Sequence, residues 1–476
     1  EADAQLMEQR AARLQLQDCP SVRVLQIAHP HLWLKAPSPP AGPHNRLLAG
    51  INQHRPHSLL LLEDDVLHRR CPRLKGSSPS APHPTSHSHW SDRPFGVKLV
   101  GHAFHVFGVG EDIRMAARAL AAVDVPLAVI DVPAFNGSAT SDRSLEGLIH
   151  PGPSGPFAFN LICLQPISHA QWLLQHGLTP QQGHYTIATW PWETNCWPQA
   201  WEPLLDHCNE LWPASTHIHR ALQPIAAKYA IPIHTMPMAV DITATSFKVS
   251  DKRRRTLRHR FGLPLTATLF VYSFDFNSTT IRKNPHAVIE AFQLAFPDHQ
   301  QQKVALVIKV ISPSPSSHDW QWLQARLLED PRIKLIAENL RREDLLNLYA
   351  CCNAFVSLHR SEGFGRSLAE ALQLGLDVIA TDHGGNTDFC QGPLAHPVPW
   401  RSVPIPPEAY PPADERHSWA EPDIAAAAKS MQKIAALNGT RKADVAETTV
   451  IYRKQFSPCT VGERYRRRLE AIWKQP

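Results

Sequence analysis

At 476 residues the chain is too long for one ordinary core, so two α/β domains with an additional segment are expected. Its 48 Lys and Arg against 43 Asp and Glu leave a formal charge of only +5, scattered rather than gathered in blocks, which argues against a nucleic-acid partner. The nine cysteines show no C-x-x-C spacing, and no apolar run is long enough to span a bilayer, so a soluble protein of a reduced, cytoplasmic compartment is expected.

Residues 1–93 read as an N-terminal extension apart from the rest, with strand-like apolar runs at 22–27 and 58–62. The stretch 76–89, rich in Ser, Pro and His, reads as a linker because such a composition buries little. His83, His87 and His89 lie there without a Cys or carboxylate at ligand spacing, and no metal is assigned. From 95 onward the pattern becomes regular. A strand at 97–100, a glycine turn at 107–110, a helix at 111–122 and a strand at 127–132 make a βαβ unit, and further strands follow at 159–164 and 185–188.

The same grammar restarts after a basic helical stretch at 251–261. Strands are predicted at 268–272, 305–310, 354–358 and 378–381, and helices at 285–296, 341–349 and 367–374. The prolines cluster before 160 and between 397 and 422, which predicts long irregular connections there. Helices are expected at 423–436 and 460–473 with an irregular link between them. The fold class is therefore α/β, with a first Rossmann-like, doubly wound domain at 94–240 and a second at 245–435. A final segment, 436–476, is expected to pack back toward the first domain.

The most informative run is 354–389, AFVSLHRSEGFGRSLAEALQLGLDVIATDHGGNTDF. A strand, a turn holding Glu362, Gly363, Phe364 and Gly365, and a helix opening at Arg366 or Ser367 together present unpaired backbone N–H groups to an anion such as a diphosphate. Glu370 falls in the opening turns of that helix, where a carboxylate can accept hydrogen bonds from two ribose hydroxyls. Glu362, on the loop, would lie nearer a sugar. Taken alone, such a pair also describes a helix-start carboxylate and a solvent-facing one.

The run SEGFGRSLAEALQLGLDVIAT resembles the E-x7-E signature of the retaining glycosyltransferases of family 4, and SFDFNSTTIRKNPHAVIEAFQLAF resembles the members carrying R-K-N-P before a long helix. The resemblance implies a GT-B architecture, two Rossmann-like domains facing a cleft. It also implies transfer of a sugar from a nucleoside diphosphate sugar to a hydroxyl of a glycan or lipid-linked acceptor, with retained configuration and neither metal nor cofactor, as in polysaccharide biosynthesis. On this footing Lys283 and Arg282 serve the donor diphosphate and Glu362 the reacting sugar. Glu370, Gly363, Phe364, Gly365, Arg366 and Ser367 line the donor site. Gly108 and Gly110, in GVGEDIR, resemble the glycine loop facing the donor from the first domain. Trp192 and Glu193, in a W-x-W-E segment, and Gly384, Gly385 and Asn386 become candidate acceptor or sugar contacts. Asn284 and Pro285 suit the cap and first position of the helix they precede. Arg366 stands where the family usually has an aliphatic residue, Asp377 where proline is common, and Asp388 where a glutamate is frequent. A non-catalytic sugar-nucleotide or glycan-binding protein of the same fold is the rival reading, and peripheral association with the inner membrane face is a further expectation.

Overall fold

The computed structural model describes residues 89–134, 140–177, 181–243, 250–298, 300, 303–313, 315–406, 409–410, 413–437 and 445–474, together with the backbone of two strands, β1 (Val22–Gln26) and β2 (Ser58–Leu62), which pair antiparallel. His83, His87 and nearly all of the expected linker lie outside the described residues.

The first domain is built on β3 (Val97–Gly101), α1 (Gly108–Ala121), β4 (Leu127–Asp131), β5 (Phe159–Cys163), α2 (Pro166–His176), β6 (Tyr185–Ala188), β7 (Glu210–Leu211) and α3 (Thr216–Lys228). Its strands run in the order β4-β3-β5-β6-β7, all parallel. Every residue of β3 and β5 is buried, as expected of central strands covered by helices on both faces. The predicted glycine turn at 107–110 is instead the first turn of α1. Gly110 is demanded by packing, since a Cβ there would stand 2.2 Å from the His105 carbonyl oxygen, whereas at Gly108 it would meet nothing.

The second domain contains α4 (Asp251–Arg260), β8 (Thr268–Asp275), α5 (Thr280–Lys283), α6 (Pro285–Ala295), β9 (Val304–Ile311), α7 (His318–Glu329), β10 (Ile333–Ile336), α8 (Arg342–Ala350), β11 (Ala354–Ser357), α9 (Arg366–Gln373), β12 (Asp377–Thr381) and β13 (Ala395–Val398). Its six parallel strands are ordered β10-β9-β8-β11-β12-β13.

The proline-rich stretch 397–422, expected to be irregular, carries an antiparallel pair, β14 (Trp400–Pro404) and β15 (Ser418–Pro422). A two-stranded ribbon has two free edges, so a proline lacking its N–H can sit in it without breaking a ladder. After α10 (Ile424–Ala436), the expected irregular link contains a helix, α11 (Val445–Gln455). Its β-branched run TTVI hides the helical signal, and packing against α9 supplies what local propensity does not. The last helix, α12 (Pro458–Trp473), is capped by Ser457 and buries Val461, Tyr465, Leu469 and Ile472 in the first domain's core against α1. The chain thus crosses between the domains a second time, and the segments following β11 and β12 meet those following β6 and β7.

Candidate functional site

The turn between β11 and α9 is held by glycine geometry. Gly365 caps α9 with φ +90°, a left-handed conformation that a side chain disfavours. Gly363 and Gly385 let two loops of the second domain touch. The Gly385 N–H donates to the Glu362 carbonyl at 2.7 Å, and a Cβ on Gly385 would lie 1.9 Å from the Gly363 oxygen. The same turn reaches the first domain, where Ser215 Oγ donates to the Gly363 carbonyl at 2.6 Å. Asp388 Oδ2 accepts from the Thr216 N–H at 2.7 Å, at the start of α3.

Against this turn stand two cations from α5. Asn284, itself left-handed at φ 56°, ends α5 and caps α6 by accepting from the Ala287 N–H. That sharp join aims Lys283 at the loop, with its Nζ 2.5 Å from Glu362 Oε2. Arg282 is only 4% exposed and donates to the Ser361 carbonyl at 2.9 Å. Its guanidinium also lies 3.4 Å from Glu193 Oε1 and 4.0 Å from Glu362 Oε2. Burial by itself would raise the Glu362 carboxyl, but Lys283 and Arg282 outweigh it and hold it at about 2. Glu193 also accepts from the Tyr410 hydroxyl at 2.6 Å. Arg282, Lys283, Glu193 and Glu362 therefore form one charged cluster drawing on both domains.

Glu370 belongs to a second cluster. It is 1% exposed, and its Oε1 lies 2.7 Å from Arg342 Nη1. Arg342 in turn lies 3.6 Å from Glu111, in the first turn of α1, and Glu111 is bonded by Arg114 at 2.9 Å. Burial works against ionisation of Glu111, yet Arg342 and Arg114 bring its carboxyl below the ordinary value. Beside it, Arg366 donates to Asp112 at 2.5 Å and to the Ala239 carbonyl at 3.2 Å. Glu362 and Glu370, equal partners in one motif, thus have different neighbours.

Other expected contacts have structural company. Trp192 is 1% exposed, donates to the Cys196 carbonyl and packs edge-on against Trp197 and Trp201, leaving no face for a sugar. Phe364 packs against Phe389 and Phe456 in the core. Asn386 is buried, donating to the Thr381 carbonyl and pairing with His359 Nε2 at 3.1 Å. Gly384 approaches the Glu362 backbone, where a Cβ would come within 2.5 Å of its carbonyl oxygen. Ser367 sits half-buried in the first turn of α9. Asp377 opens β12 and pairs with His396 at 2.8 Å, at the opposite end of the strand from the loops that form the site.

Glu111, Asp112, Arg342, His359 and Ser215 were not among the site residues expected from sequence. The two acidic residues look like ordinary helix-start carboxylates, and although Arg114 lies one turn from Glu111, the arginines that reach them from the second domain, Arg342 and Arg366, lie more than 200 positions away, beyond any local spacing rule. Among the described residues no group of three or more His, Cys, Asp or Glu is placed to hold a metal ion, and no helix is long and apolar enough to cross a membrane.

Two doubly wound parallel sheets, facing each other and joined by a returning C-terminal helix, define a GT-B fold. Residues 259–391 match the family described as Glycosyl transferases group 1, so both charged clusters include residues of that segment. Comparison with curated proteins gave no match. Among solved structures, sucrose-phosphate synthase from Thermosynechococcus elongatus is 15% identical, with a TM-score of 0.56 over 80% of this chain and 100% of that one. A glycosyltransferase from Rickettsia africae ESF-5 is 13% identical, with a TM-score of 0.55 over 80% and 100% of the two chains. Anabaena Alr3699/HepE, in complex with UDP and glucose, is 12% identical, with a TM-score of 0.54 over 79% and 100%.

Proposed function

We propose that the protein transfers a sugar from a nucleoside diphosphate sugar to a hydroxyl of a glycan or lipid-linked acceptor, with retention and without a metal. The observation that carries this reading is the meeting of Lys283, Arg282 and Glu362 at the glycine turn where α9 begins, inside the segment matching the glycosyl transferases. A leaving nucleoside diphosphate gains negative charge as the glycosidic bond breaks, so fixed cations and a helix N-terminus favour the transition state over the ground state. Lys283 is 18% exposed at its side chain and can exchange a carboxylate for a phosphate without leaving a buried charge unpaired. Glu370 offers its carboxylate to ribose hydroxyls, and Glu362 faces the sugar, where positive charge develops on the ring. UDP is the first nucleotide to try, because HepE, a protein of similar fold, binds it.

A non-catalytic nucleotide-sugar-binding role is favoured by one fact, that both motif carboxylates already carry a cationic partner. The test separates the two. Thermal shifts with UDP, GDP and ADP sugars identify the donor, because a ligand selective for the folded chain raises its stability. Donor hydrolysis and transfer are then measured in the wild type and in Lys283→Ala. A fall of about a hundredfold in kcat/KM is expected in the variant. Donor binding with no turnover in the wild type would establish the binding role, and an unchanged kcat/KM would remove Lys283 from the site.

A further inference from the structure

Glu193 lies in the first domain, in the segment after β6, and its side chain is 21% exposed. Each of its three oxygens has a partner, and most of those partners come from the second domain. Oε1 lies 3.4 Å from Arg282 Nη2 on α5, and Oε2 accepts from the hydroxyl of Tyr410, which sits between β14 and β15, at 2.6 Å. The backbone carbonyl accepts from Ser361 Oγ and from His217 Nε2, the latter at 2.8 Å. Arg282 needs such a neighbour. It is buried, with the Ser361 carbonyl at 2.9 Å and Glu362 Oε2 at 4.0 Å. Burial disfavours its charge, yet Glu193, ahead of Glu362, raises the arginine above its ordinary value. Its Nε–H, also buried, has no hydrogen-bond partner among the described residues. The guanidinium is thus held through its Nη atoms and keeps one donor unmet, a cost that a phosphate oxygen would remove.

We propose that Glu193 is a positioning residue for the transfer: anchored by Tyr410, it keeps the Arg282 guanidinium off Glu362 and beside the turn that opens α9, where the arginine meets the donor diphosphate. The inference rests on the donor reading above. Two carboxylates compete for one buried cation, and the nearer one fixes its direction. With Glu193 engaged, Glu362 stays with Lys283 at 2.5 Å. Without the Glu193 charge, Glu362 is the carboxylate left to take the guanidinium. A Glu362 drawn between two cations is turned from the sugar, and an Arg282 collapsed onto it is turned from the phosphate. The loss falls on the transition state, where charge on the leaving diphosphate is greatest. Because Glu193 belongs to the first domain, Arg282 is set in place only where the two domains meet.

The test is a double-mutant cycle on the hydrolysis of UDP-, GDP- and ADP-glucose by the full chain, with binding followed by calorimetry and folding by thermal melts. Water is the acceptor in that assay, so a residue that only touches a glycan acceptor would leave it unmoved. Glu193→Gln keeps the shape and loses the charge, and kcat should fall about tenfold with the donor KM changed less than about twofold. Tyr410→Phe should lower kcat roughly threefold by loosening Glu193. In an Arg282→Met background neither change should lower kcat further, because both act through the arginine. Undiminished effects in that background, or a Glu193→Gln loss that tracks a fall in Tm and recovers on cooling, would make Glu193 a general structural residue and overturn the proposal. An unchanged kcat in Glu193→Gln would overturn it too, with the donor reading left standing. Binding without hydrolysis in the wild type would establish the non-catalytic role and leave no transfer for Glu193 to serve. If the wild type binds none of the three, the donor reading fails and the role of Glu193 falls with it.

Discussion

The loop around Glu362 and the helix carrying Glu370 come from one short stretch of sequence, yet the structure holds them in different ways. Glu362 takes its nearest cation, Lys283, from its own domain and a second, Arg282, that also reaches Glu193 of the first domain, and its loop touches the first domain at Gly363, where an added Cβ would lie 2.5 Å from the Trp192 carbonyl oxygen. Glu370 depends on Arg342, which is shared with Glu111 across the cleft. Each carboxylate is linked across the cleft through an arginine shared with a first-domain glutamate, and Glu362 has Lys283 at 2.5 Å in addition. The two glutamates of the motif thus differ in the cations that hold them, Lys283 and Arg282 beside Glu362 and Arg342 beside Glu370.

The sharpest break of this comparison is a pair of isosteric changes. Glu362→Gln should lower kcat about a hundredfold with donor affinity nearly kept, because its charge matters most as the transition state forms. Glu370→Gln should instead raise the donor KM roughly tenfold with kcat nearly kept, as expected for contacts that change little during reaction. Initial rates and donor binding for both variants decide the matter, and equal loss of affinity with kcat preserved in both would reduce the pair to a nucleotide clamp.

Arg342→Ala comes next in size. It leaves the buried Glu370 without its cation, but Arg342 is 26% exposed, so the cost should fall short of a fully buried pair, at about 2 kcal/mol. Urea unfolding should show that loss, and adding Glu370→Gln to the same chain should recover part of it. Strict additivity in the double variant would show that the two side chains do not interact.

A further effect is on pH. The Glu362 carboxyl is held at about 2 in the folded chain against an ordinary value of 4.5, so its stabilising contribution is complete above pH 4.5 and is lost as pH falls toward 2. Glu362→Gln should therefore lose less stability than the wild type between pH 4.5 and pH 2, measured by thermal melts. Parallel curves would mean that the carboxylate is not held by Lys283 and Arg282 in solution.

Much of this molecule was legible in one dimension. Strands buried on both faces, such as 97–101 and 159–163, write themselves as continuous apolar runs, and the second domain's strand, glycine turn and helix are contiguous in the chain, so their order alone implied doubly wound sheets. Asn284 and Pro285 announced the start of α6 because capping is a matter of adjacent residues. The helix 445–455 and the ribbon at 400–404 and 418–422 were hidden, since tertiary packing and free edges overrode weak local propensities. Only the tertiary structure showed that Trp192 and Phe364 pack against other aromatic rings, that Asn386 is buried and hydrogen-bonded to Thr381 and His359, and that Glu370, Arg342 and Glu111, like Arg366 and Asp112, are partners. Sequence spacing constrains what lies within a turn or two of helix or along one strand. Contacts across a cleft are set by how two separately folded sheets come to face one another, and no local period records that.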